Sequence, residues 1–129
     1  MRRTIVALAL LGAACGGYAG PGAGWVPLGA RQVNDRVDHD LIPVTASRGD
    51  FRAIKLTVHR ASVDFHRVVV HYGNGSRQEI ALRNTIPPGS ESRSIDLTGS
   101  ERVIRSVEFW YDANTIRGRR AQVRLFGMR

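Results

Sequence analysis

Residues 63–83, VDFHRVVVHYGNGSRQEIALR, carry the pattern that decides the fold. Apolar residues alternate with polar ones from Val63, and the alternation resumes one residue out of step at Val68. Alternation with a period of two is typical of a β-strand that buries one face. The interruption at His66-Arg67 therefore predicts a β-bulge, or a strand that changes sheets.

Asn74 and Gly75 lie at the end of this strand. An Asn-Gly pair between two extended segments predicts a β-hairpin, because both residues tolerate a positive φ. The return strand is expected over residues 76–83, with Ile80 and Leu82 facing the core. Asn74 and Gly75 are thus predicted to be structural residues of the turn.

Alternating segments also lie on both sides of this hairpin, so that about eight strands are expected in all. Gly, Pro or Asn interrupts the pattern every ten residues or so, and helical apolar spacing never persists for two turns. Two antiparallel sheets packed face to face bury one face of every strand. The sequence therefore predicts an all-β fold, an antiparallel two-sheet β-sandwich of the jelly-roll or immunoglobulin-like kind. The other expected strands are residues 25–33, 37–44, 51–59, 92–97, 103–111 and 119–127.

The N-terminus has the organisation of a secretory signal. The cationic residues 1–3 precede the apolar run TIVALALLGAA, and the triplet Gly17-Tyr18-Ala19 fits cleavage after Ala19. The apolar run over residues 4–15 is too short for a mature transmembrane helix. We expect a signal peptide at residues 1–19, a Gly-rich linker at 20–24 and a single β-sandwich domain at 25–129, secreted or periplasmic.

Cys15 offers an alternative, a lipoprotein anchored through this residue. The following GGYAGPGAG would be a flexible tether for a lipidated cysteine. Gly12, however, stands where a lipoprotein signal usually has Leu. In either case no transmembrane helix is expected in the mature chain.

Composition narrows the class of protein. The chain has 129 residues, a net charge of +8, 43% hydrophobic and 23% charged residues, which excludes a largely disordered chain. P-loop, GxGxxG, CxxC and HExxH motifs are absent, so no cofactor is expected. All basic residues except Lys55 are Arg, a bias more typical of a GC-rich genome than of an anion site.

The densest group of oxygen ligands lies at Asp35, Asp38 and Asp40, which makes it a weak calcium candidate. The alternative is a solvated strand start whose carboxylates pair with a neighbouring Arg such as Arg36. The four histidines lack His-x-His spacing, so zinc would have to be bound from separate strands. These histidines are His39, His59, His66 and His71.

Outward-facing residues of the last two strands form a candidate ligand surface. Trp110 is expected on an outer face, and the chain's clearest basic stripe comprises Arg117, Arg120 and Arg124. An exposed Trp beside charged groups suits a sugar, whereas a basic stripe suits phosphate-bearing polymers. The alternative for Trp110 is a side chain that covers the edge of the sandwich.

Arg93 shares its strand parity with Ile95 and Leu97, which predicts that its side chain faces the core side at a sheet edge. A buried Arg requires a partner. We expect a carboxylate or carbonyl acceptor, with Asp96, Glu101 and Asp64 as the candidates, and a structural role for Arg93 and Asp96.

The sequence resembles a family of small secreted bacterial proteins that share an uncharacterised β-rich domain, a domain of unknown function. The resemblance covers residues 25–127 and implies an exported β-rich domain, with no activity attached. Its matching pieces are Trp25-x-x-Leu28-Gly29, Asp38-x-Asp40-x-Ile42-x-Val44, Gly49-x-Phe51-x-x-Ile54-x-Leu56-x-Val58, Tyr72-Gly73-Asn74-Gly75, Ser92-Arg93-x-Ile95-Asp96-Leu97-x-Gly99, Arg102-x-Ile104 and Gly118-x-x-Ala121-x-Val123.

These observations favour a non-enzymatic binding or interaction module for a cell-envelope component, namely a glycan, an anionic surface or a protein. Export argues against a specific nucleic-acid partner. Two alternatives remain open, a purely structural or stress-related envelope protein that acts through protein contacts, and a small hydrolase with carboxylates on its strands. The mature chain contains neither a Cys nucleophile nor a GxSxG motif, so no catalytic residue is predicted.

Overall fold

A computed structural model describes residues 24–33, 39–45, 49–99, 101–114 and 120–129. The predicted signal peptide lies outside these residues, as does the linker apart from Gly24. The described residues form strands and turns without a helix, so none of them forms a helix able to cross a bilayer. The strands are β1 Trp25–Val33, β2 His39–Pro43, β3 Asp50–Phe51, β4 Ala53–His59, β5 Ser62–Tyr72, β6 Arg77–Ile80, β7 Asn84–Ile86, β8 Ser90–Glu91, β9 Ile95–Asp96, β10 Arg102–Asn114 and β11 Ala121–Met128.

The strands form two antiparallel sheets, which confirms the predicted β-sandwich. The five-stranded sheet has the order β9-β4-β11-β1, with β8 also paired to β4. The six-stranded sheet has the order β2-β10-β5-β6, with β3 on β10 and β7 on β5. Strands β7 and β8, of three and two residues, were not predicted, because segments this short show little alternation. The predicted strand 51–59 is divided at Arg52, so that Phe51 belongs to β3 and residues 53–59 form β4.

The core lies between the inner faces of the two sheets. Leu56, Val58, Val123 and Leu125 contribute to it from the five-stranded sheet and are fully buried. On the other sheet the ring centroids of Phe65 and Phe109 are 5.8 Å apart, and those of Phe109 and Tyr111 are 5.4 Å apart. Burial of this apolar surface is the main stabilising contribution to such a fold.

The two sheets are in close contact where β1 passes β2. A Cβ atom on Gly29 would lie 2.6 Å from Cγ2 of Ile42 and 3.0 Å from the carbonyl oxygen of Pro43. Only glycine leaves room for this contact. Beside it, Nε of Arg31 donates to Asp40 across the same edge at 3.0 Å.

The predicted β-bulge is confirmed. Trp110 lies opposite Arg67 and Tyr111 lies opposite Phe65, which leaves His66 as the extra residue of β5. His66 and Arg67 therefore both lie on the outer face, between the buried Phe65 and Val68.

The hairpin is also confirmed, with a different turn geometry. Gly75 donates its N–H to the carbonyl of Tyr72 at 3.1 Å and has φ of 91°, whereas Asn74 is not among the described residues with positive φ. This is a three-residue loop that ends in a left-handed glycine. Asn74 contributes its side chain instead, since Oδ1 accepts the N–H of Ser76 at 3.0 Å.

The expected inward orientation of Arg93 is wrong. Residues 92–94 lie outside the strands, so the parity of Ile95 and Leu97 does not extend to them. The side chain of Arg93 is exposed, and the buried position belongs to Ser92, which is 5% exposed. Oγ of Ser92 accepts the backbone N–H of Leu56 at 3.0 Å.

Candidate functional site

A groove of about 370 Å³ runs across one end of the five-stranded sheet. Its floor is one cross-strand row, in which Asp96 lies opposite Ala53, Ala53 opposite Met128, and Met128 opposite Trp25. The small side chain of Ala53 leaves a depression in the middle of this row. The groove is lined by Trp25, Arg52, Ala53, Ser94, Asp96, Leu97 and Met128.

Backbone hydrogen bonds hold the groove residues in place. The N–H of Arg52 donates to the carbonyl of Met128 at 2.8 Å, and the N–H of Leu97 donates to the carbonyl of Arg52 at 2.9 Å. The Asp96 side chain is exposed, while its carbonyl accepts a hydrogen bond from Gln78 at 3.3 Å. The groove therefore combines a rigid floor with polar groups that are open to solvent.

Trp25 is oriented by a cation. Nζ of the buried Lys55 lies 4.6 Å from the centroid of the Trp25 ring and donates to Glu91 at 2.9 Å. Trp25 lines the groove, whereas Lys55 is not among its lining residues. An indole held by a cation–π contact is a preorganised apolar surface.

Trp110 lies on the outer face of the six-stranded sheet, as predicted. It lies opposite His39 on one neighbouring strand and opposite Arg67 on the other. The imidazole of His39 stacks on the indole at 4.5 Å between centroids, and Cζ of Arg67 lies 4.4 Å from the indole centroid. Both neighbouring strands thus place a side chain against the indole of Trp110.

The predicted ligand surface is wrong as a single site. Arg124 belongs to β11 of the five-stranded sheet, Arg120 directly precedes this strand, and Trp110 belongs to β10 of the other sheet. Outward side chains of the two sheets point away from each other. Arg117 lies outside the described residues, and Arg124 donates to Gln122 at 3.1 Å.

Asp40 of the calcium candidate is engaged by the protein itself. Its carboxylate accepts hydrogen bonds from Arg31 and from the hydroxyl of Tyr111, each at 3.0 Å. The pairing with Arg agrees with the alternative interpretation, although the partner is Arg31 rather than Arg36. Asp35 and Asp38 lie outside the described residues, and the calcium site stays a prediction.

Two histidines share one carboxylate on the outer face of the six-stranded sheet. Nε2 of His71 donates to Oε1 of Glu108 at 2.7 Å, and Nε2 of His39 donates to Oε2 at 2.5 Å. The hydrogen bond from His71 lowers the pKa of Glu108 most, the bond and charge of His39 add to this, and partial burial opposes it. Glu108 thus links β2, β10 and β5.

A second group of titratable side chains lies beyond the bulge. One ligand atom from each of Asp64, His66 and Asp112 lies within 4.8 Å of those of the other two. Nε2 of His66 is 2.9 Å from Oδ2 of Asp112. A cleft of about 290 Å³ adjoins the group and is lined by Ser62, Asp64, Thr85, Asp112 and Ala113.

Sequence reasoning missed Trp25 as a candidate binding residue and the cluster around His66. Trp25 starts the first strand and Met128 ends the last, so only the register brings them together. A signal for part of the second group was the spacing Asp64-x-His66, since residues two apart on a strand share a face.

Comparison with known proteins identifies a matching family model and a solved structure of similar fold. The model of the DUF2541 family, described as a domain of unknown function, matches residues 4–127. No curated protein sequence matches the chain. Among solved structures, AlgX of Pseudomonas aeruginosa is similar with a TM-score of 0.51 and 15% identity. The match covers 78% of this chain and only 26% of AlgX, so it is a likeness of fold alone.

Proposed function

This chain belongs to the DUF2541 family, and we propose that it is an exported, non-enzymatic module that binds a cell-envelope polysaccharide in the groove between Trp25 and Asp96. The groove is the single observation that carries the proposal. Its lining residues Trp25, Met128, Arg52, Ser94 and Asp96 carry an indole, a thioether, a guanidinium, a hydroxyl and a carboxylate.

Sugar rings have apolar faces and polar rims, and protein sites for them combine an aromatic surface with a few oriented polar groups. Trp25 and Met128 supply the apolar surface. Arg52, Ser94 and Asp96 supply donors and acceptors along one side. The open shape of a groove across a sheet end suits a chain that passes through it rather than a small molecule enclosed in a pocket.

Export is supported by the N-terminal sequence, a cationic start followed by an apolar run and a small-residue triplet. An exported domain meets the polysaccharides of the envelope. The lipoprotein alternative through Cys15 would keep the same domain at a membrane surface and leaves the proposed ligand unchanged.

A binding role is favoured over catalysis by the groove's composition. Glycoside hydrolysis usually requires two carboxyl groups that flank the scissile bond. Among the residues that the structure describes, one carboxylate, Asp96, and no histidine line the groove. These groups can bind and orient a sugar but do not form an acid–base pair.

The test is isothermal titration calorimetry of the purified chain with isolated envelope polysaccharides, neutral and acidic. We expect binding that weakens at least tenfold in Trp25→Ala and more modestly in Asp96→Asn. Trp110→Ala is the matched control, because this Trp lies on the other sheet with its indole in contact with His39 and Arg67, and it should bind as the wild type does. Circular dichroism checks that each variant is folded.

Two outcomes would contradict the proposal. Binding that Trp110→Ala abolishes and Trp25→Ala preserves would move the site to the other sheet. Absence of binding to every polysaccharide at millimolar concentration would favour the runner-up function, a structural envelope protein that acts through protein contacts.

A further inference from the structure

We propose that Asp64, His66 and Asp112 form a binding site for a divalent transition-metal ion, separate from the groove. Asp64 and Asp112 lie directly opposite each other on β5 and β10. His66, two residues after Asp64 on β5, lies on the same outer face, next to both carboxylates. One imidazole and two carboxylates are a ligand set that Zn²⁺ accepts.

Strand alternation and pairing explain why these three groups meet. Asp64 and His66 are two residues apart on β5, so both lie on the outer face. In an antiparallel pair, side chains directly opposite each other share a face, which places Asp112 beside them. Phe65 and Tyr111, the next pair along, point the other way and are fully buried in the core. The core packing therefore fixes the backbone on which the three ligands stand.

The ligand atoms are close enough for a metal ion. Nε2 of His66 and Oδ2 of Asp112 are 2.9 Å apart, and the atoms of all three residues lie within 4.8 Å of one another. Tetrahedral ligands at about 2.1 Å from zinc lie about 3.4 Å apart. The side chains of His66 and Asp112 are 45% and 77% exposed, so both can make this small adjustment.

A residue outside the three ligands supports the site. The hydroxyl of Thr85, on the short strand β7, donates to Oδ1 of Asp64 at 3.0 Å. Such a hydrogen bond orients a ligating carboxylate and is typical of metal sites. The adjoining cleft, at about 290 Å³, leaves room for water or an anion at the remaining coordination position.

The other histidine group of the same sheet does not have this arrangement. His39 and His71 bind different oxygens of Glu108 from neighbouring strands on either side of β10, so the carboxylate separates the two imidazoles. His71 is therefore a matched control, a histidine on the same strand as His66 that also bonds a carboxylate.

The experiment is isothermal titration calorimetry of the full chain with Zn²⁺ alone, repeated with Ca²⁺. We expect one zinc ion per chain. His66→Ala and Asp112→Asn should abolish binding, and Thr85→Val should weaken it about tenfold, as removal of a supporting hydrogen bond usually does. His71→Gln should bind zinc as the wild type does, and Ca²⁺ should not compete.

His66 and Asp112 are exposed, so their variants should fold, and circular dichroism verifies this. The proposal is overturned if the wild type binds no zinc below millimolar concentration. It is equally overturned if His66→Ala retains wild-type affinity, or if His71→Gln loses binding in place of His66→Ala. None of these results bears on the groove, whose ligand is tested in the absence of zinc.

Discussion

The hydroxyl of Tyr111 donates a 3.0 Å hydrogen bond to the carboxylate of Asp40, which also accepts Nε of Arg31 at 3.0 Å. Arg31 belongs to β1 of one sheet, and the other two residues belong to the second sheet. Tyr111 is fully buried and Arg31 is half exposed. Asp40 thus joins the core to the open edge of the sandwich.

We expect Tyr111→Phe to lower the free energy of unfolding by about 1.5–3 kcal/mol, the usual contribution of a hydrogen bond to a charged group. The loss is measured by urea denaturation. Arg31→Gln is the control and should cost about 1 kcal/mol or less, since exposed ion pairs contribute little. Equal stability of Tyr111→Phe and wild type would show that this bond does not hold the edge.

Ser92→Ala should destabilise the fold, and Arg93→Ala should not. Removal of the Ser92 hydroxyl leaves the buried N–H of Leu56 without its acceptor, at a cost of about 1–3 kcal/mol. Arg93 is exposed, so its truncation should change stability by about 0.5 kcal/mol or less. Thermal unfolding of both variants gives the comparison, and a reversed order would show that Arg93, rather than Ser92, has the structural role.

The free energy of unfolding should decrease on acidification, because Glu108 becomes protonated. The pKa of this carboxyl is lowered in the folded state, so it contributes stability that is present above its ordinary value of 4.5 and is lost as the pH falls through the lowered folded value. Glu108→Gln should therefore cost about 1 kcal/mol at pH 7 and progressively less below pH 4.5. The measurement is urea denaturation between pH 3 and 7.

The matched control for Glu108 is Glu79→Gln. Glu79 accepts from Arg67 at 2.8 Å on the same outer face but is 62% exposed. Its variant should differ little from wild type over the whole pH range. A difference between Glu108→Gln and wild type that persists at pH 3 would rule out the ionised carboxylate as the source.

The folded state should favour the neutral form of His59, whereas it favours the charged form of Glu108. Burial lowers its pKa below 6.5, and the positive charge of Arg124 lowers it further. Protonation is therefore weaker in the folded state, and the fold loses stability as the pH falls below 6.5. NMR titration should find the His59 pKa below 6.5 and show that Arg124→Gln raises it only in part, because burial remains. A pKa that Arg124→Gln leaves unchanged would remove the charge as a cause.

Alternation of apolar residues was sufficient to predict the β-sandwich, the bulge at His66 and the hairpin after Tyr72. Each of these features depends on local chemistry, either the period-two burial of one face or the conformational freedom of glycine at Gly75. The family resemblance likewise rests on the order and spacing of short local motifs. The alternation does not extend to residues 92–94. The orientation of Arg93 was therefore predicted wrongly.

The candidate sites depend instead on which strands become neighbours. Trp25 and Asp96 are 71 positions apart and meet only because β1, β11, β4 and β9 align in one row. Trp110 and Arg124 are near in sequence yet lie on opposite sheets. Alternation tells which side of a strand is buried but carries no information on strand order or register, because both depend on the packing of the whole core.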